Sequence, residues 1–450
     1  MFAYNNQNKK VKPPMTSSIK TINLTGQRIT RELVDAQIPR ANIDVAAAVE
    51  SIRPLVESIR TDGARPIIEI AQTLDGIEIE PIRVTAAELE RALQELAPEL
   101  KIALEIAIER VRKVSKANMP KGSSTELSQG AIVSQRWVPI QSVGLYVPGG
   151  KAVYPSSVVM NVVPAQVAGV RKISIATPGQ KDFGGRPHPT VLATAALLGI
   201  QDVYVIGGPA AVAAFAYGVP EIGLHPVDLV TGPGNVYVAA AKRILQGRIA
   251  IDSEAGPTEI MILADDSADS GFIAADLISQ AEHDELAAAV LVTDSESLIR
   301  AVSAEIDRQV TDTPNKTRVL AALSGQQSSF VLVSSLAEAI SIANFYGAEH
   351  LSIQTRDSKV VSDMIHSAGA IFLGPYSPVS LGDYLAGSNH VLPTGGQARF
   401  SSGLGVHTFL KAQQLIDYDQ AALSEVANSV IAIANQESLQ AHGDAVKARI

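Results

Sequence analysis

The chain contains no cysteine. That excludes a disulfide framework, a thiolate nucleophile and thiolate metal ligands. Any metal site must be built from nitrogen and oxygen donors. No unbroken apolar run reaches membrane-spanning length, so no membrane partner is expected. A basic excess is also missing. The net charge of −9 argues against nucleic acid as a main partner, because a phosphate-binding surface needs clustered lysine and arginine. Residues Met1 to Ser18 (MFAYNNQNKKVKPPMTSS) lack the apolar core of a signal peptide. They read as a disordered arm, extended here to residue 21, with Met15 as an alternative start. The expected compartment is the cytoplasm.

What is present is an ordinary globular composition, 46% hydrophobic and 18% charged over 450 residues, sufficient for large cores. The first third reads as helical. Val45, Val49, Ile52, Val56 and Ile59 form an amphipathic stripe. Pro54 should kink that helix or open a new one. Thr85 with Glu88 forms a capping box, the helix it opens should stop near Pro98, and a second should run from Pro98 toward Lys116. From Val143 the pattern changes to short β-rich runs with glycine or proline turns, each followed by a helical stretch. The runs are VGLYVPGG, KISIATPG, DVYVIGG, VDLVTGPGN, TEIMILAD, AAVLVT, FVLVSS and AGAIFLGPY. This alternation predicts an α/β fold with mostly parallel sheet. The runs are too many for one mononucleotide half, so two Rossmann-like units are expected, one inserted in the other.

The turn Gly232-Pro233-Gly234-Asn235 joins the strand VDLVT to the helix VYVAAAKR. A helix N-terminus can hold an anion. Neither this turn nor Gly207-Gly208-Pro209 matches a dinucleotide fingerprint, and alone each reads more readily as an α/β turn needing glycine for its backbone. The stretch SLGDYLAGSNHVLPT, Ser380 to Thr394, holds Asp383 and His390 on a glycine-broken segment. Carboxylate and imidazole are donor types that zinc accepts. Gln280 and His283, three apart at the end of DLISQAEH, share a face if that run is helical. Glu349-His350 falls in a turn leading to LSIQT, where an adjacent carboxylate and imidazole suit acid–base work. Alone, His283 reads as a surface histidine, Glu349-His350 equally as an acid–base pair or a charged turn, and His442, beside Glu437 in a C-terminal helix, as part of a solvated face. His188, His225, His366 and His407 lack supporting carboxylates.

Taken together, GLYVPGGKAVYPSSVVMNVVPAQVAGV, GPGNVYVAAAKR, AGPTEI, SQAEHD, YGAEHL and GDYLAGSNHVLPTGG closely resemble the histidinol dehydrogenase family, from about Ile22 to Ile450. The resemblance implies one zinc per active site, NAD as oxidant, and oxidation of L-histidinol to L-histidine by two hydride transfers through L-histidinaldehyde. The implied zinc ligands are Gln280, His283, Asp383 and His442, with His442 supplied by the neighbouring subunit of a homodimer. Glu349 would activate water, His350 would take the alcohol proton, and His390 would be a further catalytic histidine. Thr258, Glu437 and the zinc-site residues, with His350, would contact substrate. Tyr146, Asn235 and position 210 would contact NAD. The implied organisation is a first α/β domain from 22–142 and 258–400, an NAD-binding domain over 143–257, and a dimerisation tail over 401–450.

The missing thiol is consistent with this chemistry. Many aldehyde dehydrogenases pass through a thiol adduct before the second hydride transfer; without one, a gem-diol made with a general base is the natural substitute. Two positions depart from the family pattern. Pro209-Ala210 stands where Ala-Gln is usual, which removes a cofactor contact, and Thr258 replaces a common serine while keeping its hydroxyl. Three other readings fit some of these residues: a zinc- and NAD-using oxidase of another small polyol, a zinc hydrolase with Glu349 as base, and a non-catalytic binder.

Overall fold

The structure is a computed structural model that describes residues 19–41, 44–149, 153–254 and 256–450. The expected arm lies outside these residues as far as Ser18. From Lys20 the chain is already in a strand, so the boundary expected at 21 falls too late.

Two parallel sheets dominate. The larger is ordered Lys20–Asn23, Ser329–Leu332, Ala288–Thr293, Glu259–Ala264, His350–Gln354 and Ala370–Leu373. The smaller is ordered Asp202–Val205, Lys172–Thr177, Ser142–Tyr146, Leu229–Thr231 and Ala250–Ile251. Apart from the added edge strand Lys20–Asn23, both follow the order 3-2-1-4-5, counting strands along the chain. That order places a topological switch between the first and fourth strands. Central strands such as Glu259–Ala264 and Ala288–Thr293 are buried at every position, as parallel strands covered on both faces require.

The smaller sheet lies in the chain between Lys20–Asn23 and Glu259–Ala264, and residues 252–258 form the short crossover from it to the larger sheet. The chain therefore leaves the smaller sheet at the carboxyl end of its last strand and enters the larger one at the amino end of Glu259–Ala264. A crossover this short holds those two ends together.

The N-terminal helices differ from expectation. Residues 22–142 were assigned to the domain of the larger sheet. Instead Ile52, Val56, Ile59, Leu104 and Val111 share one core with Val143, Val158 and Leu145 of the smaller sheet and its helices. Their apolar stripes find cover there, and only the strand Lys20–Asn23 and the helix Arg31–Gln37, whose Val34 shares a core with Met261 and Leu263, join the larger sheet. Helix Val45–Asp62 continues through Pro54 without a new start there and ends at Gly63, whose φ is +62°. The Thr85–Glu88 capping box and the helices Ala86–Gln94 and Pro98–Ala117 match the sequence reading. A third, antiparallel sheet pairs Ala131–Pro139 with both Ser123–Ser128 and the C-terminal strand Leu410–Tyr418. The tail continues as helices Gln420–Gln436 and Gln440–Lys447.

Candidate active site

At the amino ends of the paired strands Glu259–Ala264 and His350–Gln354, a buried polar network forms. Glu349 Oε2 accepts from Thr258 Oγ1 at 2.6 Å and from the Glu259 backbone N–H at 2.8 Å. It lies 3.5 Å from His350 Nδ1. His350 Nδ1 is also 3.0 Å from the Glu259 carbonyl oxygen, which can only accept, so Nδ1 carries a proton. Gln280 Nε2 donates to Thr258 Oγ1 at 2.5 Å. The Thr258 hydroxyl spends its one proton on Glu349. It must therefore accept from Gln280, which fixes the amide orientation and leaves Gln280 Oε1 outside this network. Glu349 and His350 are 6% and 4% exposed. The alternative of an exposed charged turn is thus excluded: His350 opens a buried strand.

This burial sets the charges. Burial opposes ionisation of Glu349, but the imidazole of His350 and the hydrogen bonds from Thr258 and Glu259 outweigh it and hold the carboxyl below its usual range. Burial likewise disfavours the imidazolium of His350. The Glu349 carboxylate reverses this, with help from Asp383, and pushes His350 up to about 9. The pair rests as carboxylate and imidazolium.

His390 behaves oppositely. Burial lowers its pKa, the Asp383 carboxylate opposes this, and His350 and His283 add to the lowering. Its Nδ1 lies 3.0 Å from the Asp383 carbonyl oxygen and its Nε2 lies 3.2 Å from Ser157 Oγ. A neutral ring with the proton on Nδ1 satisfies both contacts. His283, His350, Asp383 and His390 thus lie close enough for their charges to interact. Asp383 sits on the short helix Val379–Tyr384, whose first N–H is held by Asp276 on the helix Ser270–Ala281. Burial pushes the Asp276 carboxyl up to about 6. Asp276, one turn before Gln280, therefore ties the helix carrying Gln280 to the helix carrying Asp383.

Among the described residues, no group of three His, Cys, Asp or Glu side chains gathers to hold a metal. Of the four expected ligands, Gln280 enters this network through Thr258, and Asp383 and His283 both act on the charge of His390. The free Gln280 Oε1 and the nitrogen and oxygen donor types are compatible with zinc. Glu437 and His442 are exposed on the tail and take no part in the network.

The smaller sheet contributes its carboxyl ends. Tyr146 closes the strand Ser142–Tyr146, and its hydroxyl accepts from the Gly208 N–H at 3.0 Å, where helix Gly208–Tyr217 begins. Burial pushes this phenol up to about 12. Beside it, Gly232 has φ +115°, and a Cβ there would meet the Tyr146 carbonyl oxygen at 2.0 Å. Only glycine fits. Asn235 caps helix Val236–Leu245, its Oδ1 accepting from the N–H groups of Tyr237 (3.0 Å) and Val238 (3.2 Å). Ala210 is 1% exposed within helix Gly208–Tyr217 and presents no polar group. Helix Val236–Leu245 thus begins at the switch point of this sheet, the usual place for a nucleotide phosphate, while helix Gly208–Tyr217 begins at the edge strand Asp202–Val205 and is reached by the Tyr146 hydroxyl.

The segment 387–397 joins the two halves. Asn389 Nδ2 donates to the Met160 carbonyl at 2.6 Å, Thr394 Oγ1 accepts from the Gly256 N–H at 2.6 Å, and Gln397 Nε2 donates to the Glu254 carbonyl at 2.9 Å. Ser157, Glu259 and Asp276 were not foreseen as site residues. Ser157 lies inside the quoted GLYVPGGKAVYPSS run and Glu259 inside the quoted AGPTEI, signals that were available; Asp276 lay in none of the family motifs.

The model of the family described as histidinol dehydrogenase matches residues 38–450. A protein named histidinol dehydrogenase from Leifsonia xyli subsp. xyli is 53% identical over 431 residues, 96% of this chain and 99% of its own. One of the same name from Thermobifida fusca is 53% identical over 436 residues, 97% of this chain and 98% of its own. The crystal structure of histidinol dehydrogenase from Elizabethkingia anophelis superposes with a TM-score of 0.89 at 32% identity, covering 96% of this chain and 98% of that one.

Proposed function

The chain belongs to the histidinol dehydrogenase family, and from that premise we propose that it oxidises L-histidinol through L-histidinaldehyde to L-histidine, the closing steps of histidine biosynthesis, in the cytoplasm. The observation that carries this reading is the buried Glu349–His350 pair, hydrogen-bonded through Thr258 to Gln280. The two nested α/β units serve separate tasks, cofactor binding on 143–257 and chemistry on the larger sheet.

When bound, NAD would supply the hydride acceptor for both oxidations, and water would be added to the aldehyde between them. Zinc, when bound by Gln280, His283, Asp383 and the partner's counterpart of His442, serves as a template for the imidazole and amine of the substrate. His350 accepts the carbinol proton as each hydride leaves. For that it must first lose its own second proton, and a cation beside Asp383 favours this by cancelling the negative charge that helps raise its pKa. Glu349, already ionised, takes a proton from the water that attacks the aldehyde. Thr258 and the Glu259 N–H hold that carboxylate in place, and His390 braces the loop that carries it toward Ser157. Tyr146 and Asn235 shape the cofactor turns; Ala210 offers the dinucleotide only a methyl group. The active unit is a homodimer in which Glu437 and His442 of the tail complete the neighbouring site. The exposed apolar side chains of that tail, Ile416, Ile433 and Leu439, support such an interface.

The deciding measurement is NADH formed per L-histidinol consumed. The expected ratio is about two, because aldehyde oxidation follows alcohol oxidation on one site. A ratio near one means release of the aldehyde. Turnover without NADH overturns the dehydrogenase reading.

A further inference from the structure

Beneath the turn Gly232-Pro233-Gly234-Asn235 lies a buried ion pair that the mechanism above does not use. Lys242, on helix Val236–Leu245, has a side chain 1% exposed, and Asp252, just past the strand Ala250–Ile251, one 4% exposed. The Lys242 ammonium donates to the Gly232 carbonyl at 2.7 Å, to Asp252 Oδ1 at 2.5 Å and to the Ser253 carbonyl at 3.2 Å. Asp252 Oδ2 in turn accepts from the Gly232 N–H at 2.8 Å. Both backbone polar groups of Gly232, on the peptide units either side of its Cα, are therefore held by one lysine–aspartate pair. The same ammonium holds the first carbonyl of the crossover that leads to Thr258.

A buried pair of this kind is weak support for stability, because desolvation offsets most of the attraction. Apolar side chains would fill the volume as well. What they could not do is grip a backbone unit at φ +115° from both sides. An ammonium has three donors, and three acceptors meet it here.

We propose that Lys242 and Asp252 are positioning residues for the dinucleotide. They hold the Gly232–Asn235 turn in its binding shape before the cofactor arrives, which removes an ordering cost from binding. The inference rests on the reading that this turn receives NAD. It predicts a selective effect. Loss of the pair weakens NAD binding while the zinc–histidinol end, held by the other sheet, is left intact.

The test uses the zinc-loaded enzyme and reads three quantities: the dissociation constant for NAD by calorimetry, that for L-histidinol, and zinc content. The double variant Lys242→Met with Asp252→Asn removes both charges together, so no lone charge is left buried, and keeps an acceptor for the Gly232 N–H. NAD affinity is expected to fall at least tenfold, with L-histidinol affinity and zinc content within twofold of the parent. NAD affinity within twofold of the parent overturns the proposal. If the double variant does not fold, Asp252→Asn alone decides: it is nearly isosteric, and a three- to tenfold loss of NAD affinity is expected, while an unchanged value overturns the proposal. Asn235→Asp locates the cofactor independently. Aspartate caps the helix as well as asparagine does, but adds a negative charge where the pyrophosphate is expected. If Asn235→Asp leaves NAD affinity unchanged, the cofactor lies elsewhere and the underlying reading fails. If Asn235→Asp weakens binding and the double variant does not, the positioning role alone fails.

Discussion

The two parallel sheets share a strand order and are used at opposite ends. In the smaller sheet the candidate residues stand at the carboxyl ends of the strands that flank the switch point, where Tyr146 and Gly232 meet. In the larger sheet the corresponding strands, Glu259–Ala264 and His350–Gln354, carry Glu349 and His350 at their amino ends. The short crossover 252–258 explains the difference. It brings the carboxyl end of one sheet against the amino end of the other, so a shared cleft must use unlike ends. The rule that α/β sheets bind ligands at their carboxyl ends then applies to the smaller sheet alone. The fixed backbone dipoles differ accordingly. Helix N-termini at the smaller sheet suit a pyrophosphate, whereas the larger sheet offers ionisable side chains suited to proton transfer and metal ligation.

The largest expected effect separates the two ends outright. Removal of metal with a chelator should abolish oxidation of L-histidinol, and added zinc should restore it. NAD affinity of the metal-free protein should stay within about twofold, because no proposed ligand lies on the smaller sheet. Full activity after verified metal loss would discard the assignment of Gln280, His283, Asp383 and His442. Next comes the catalytic pair. Loss of a positioned general base costs about a hundred- to ten-thousand-fold. His350→Ala should slow both oxidations by that order. Glu349→Gln should slow oxidation of supplied L-histidinaldehyde more than the first hydride transfer. Equal losses in single-turnover measurements would remove water activation as the chief role of Glu349.

Complementation probes how far the larger sheet's end extends beyond one chain. Neither His442→Ala nor His350→Ala should be active alone. Mixed after dissociation, they should recover roughly a quarter of parent activity, since half the dimers of a random mixture are hybrids with one intact site each. Absence of recovery, with hybrids shown by mass spectrometry, would confine the site to a single chain.

A smaller effect concerns pH. If His350 works as the proposed base, activity is lost as pH falls through its pKa. The adjacent carboxylate raises that pKa to about 9 in the metal-free chain. Neutralising the carboxylate removes the main raising influence, and burial then acts unopposed. The residual activity of Glu349→Gln in alcohol oxidation should therefore lose its acid limb at lower pH than the parent, by about one unit or more. A limb that stays in place would mean that another group titrates. The NAD dissociation constant, set on the smaller sheet, should show no parallel shift.

Much of this arrangement was legible in the sequence, for physical reasons that also mark the limit. Strands covered on both faces read as continuous valine and isoleucine, so TEIMILAD and AAVLVT were found. The strand His350–Gln354 escaped because Ser352 and Gln354 are polar and buried, paired with one another at 3.1 Å, and Gln354 also reaches the Gly374 carbonyl at 3.3 Å. The strands Ala131–Pro139 and Leu410–Tyr418 are mixed and partly exposed, and their pairing spans most of the chain. Local pattern carries no trace of it. The N-terminal stripes announced helices but not which sheet they would cover. Among candidate residues, those in glycine-rich or histidine-bearing motifs were visible. Lys242, Asp252 and Asp276 were not, because their meaning lies in partners on other elements.

The smallest expected effect lies in the tail. Ser438 adopts φ +60° and is the single described non-glycine residue with positive φ. It terminates helix Gln420–Gln436 through bonds from its own N–H to the Asn435 carbonyl (3.1 Å) and from the Leu439 N–H to the Ala434 carbonyl (2.8 Å). Helix ends of this type favour glycine, because an L side chain is strained there by about 1–2 kcal/mol. Ser438 stands between Glu437 and His442, the tail residues proposed to enter the neighbouring site. Strain at such a place is tolerated where a fixed geometry is useful. Ser438→Gly removes the strain but adds backbone freedom to the unfolded chain, so the net gain should be about 0.5–1 kcal/mol. A denaturant midpoint raised at unchanged slope would show it. The same change loosens the turn that aims His442, so zinc should be lost slightly faster to a competing chelator, by about twofold. NAD affinity should not move. A variant that gains stability and holds zinc as tightly as the parent would mean that the turn only ends a helix, and that the tail's reach is set by the dimer contact alone.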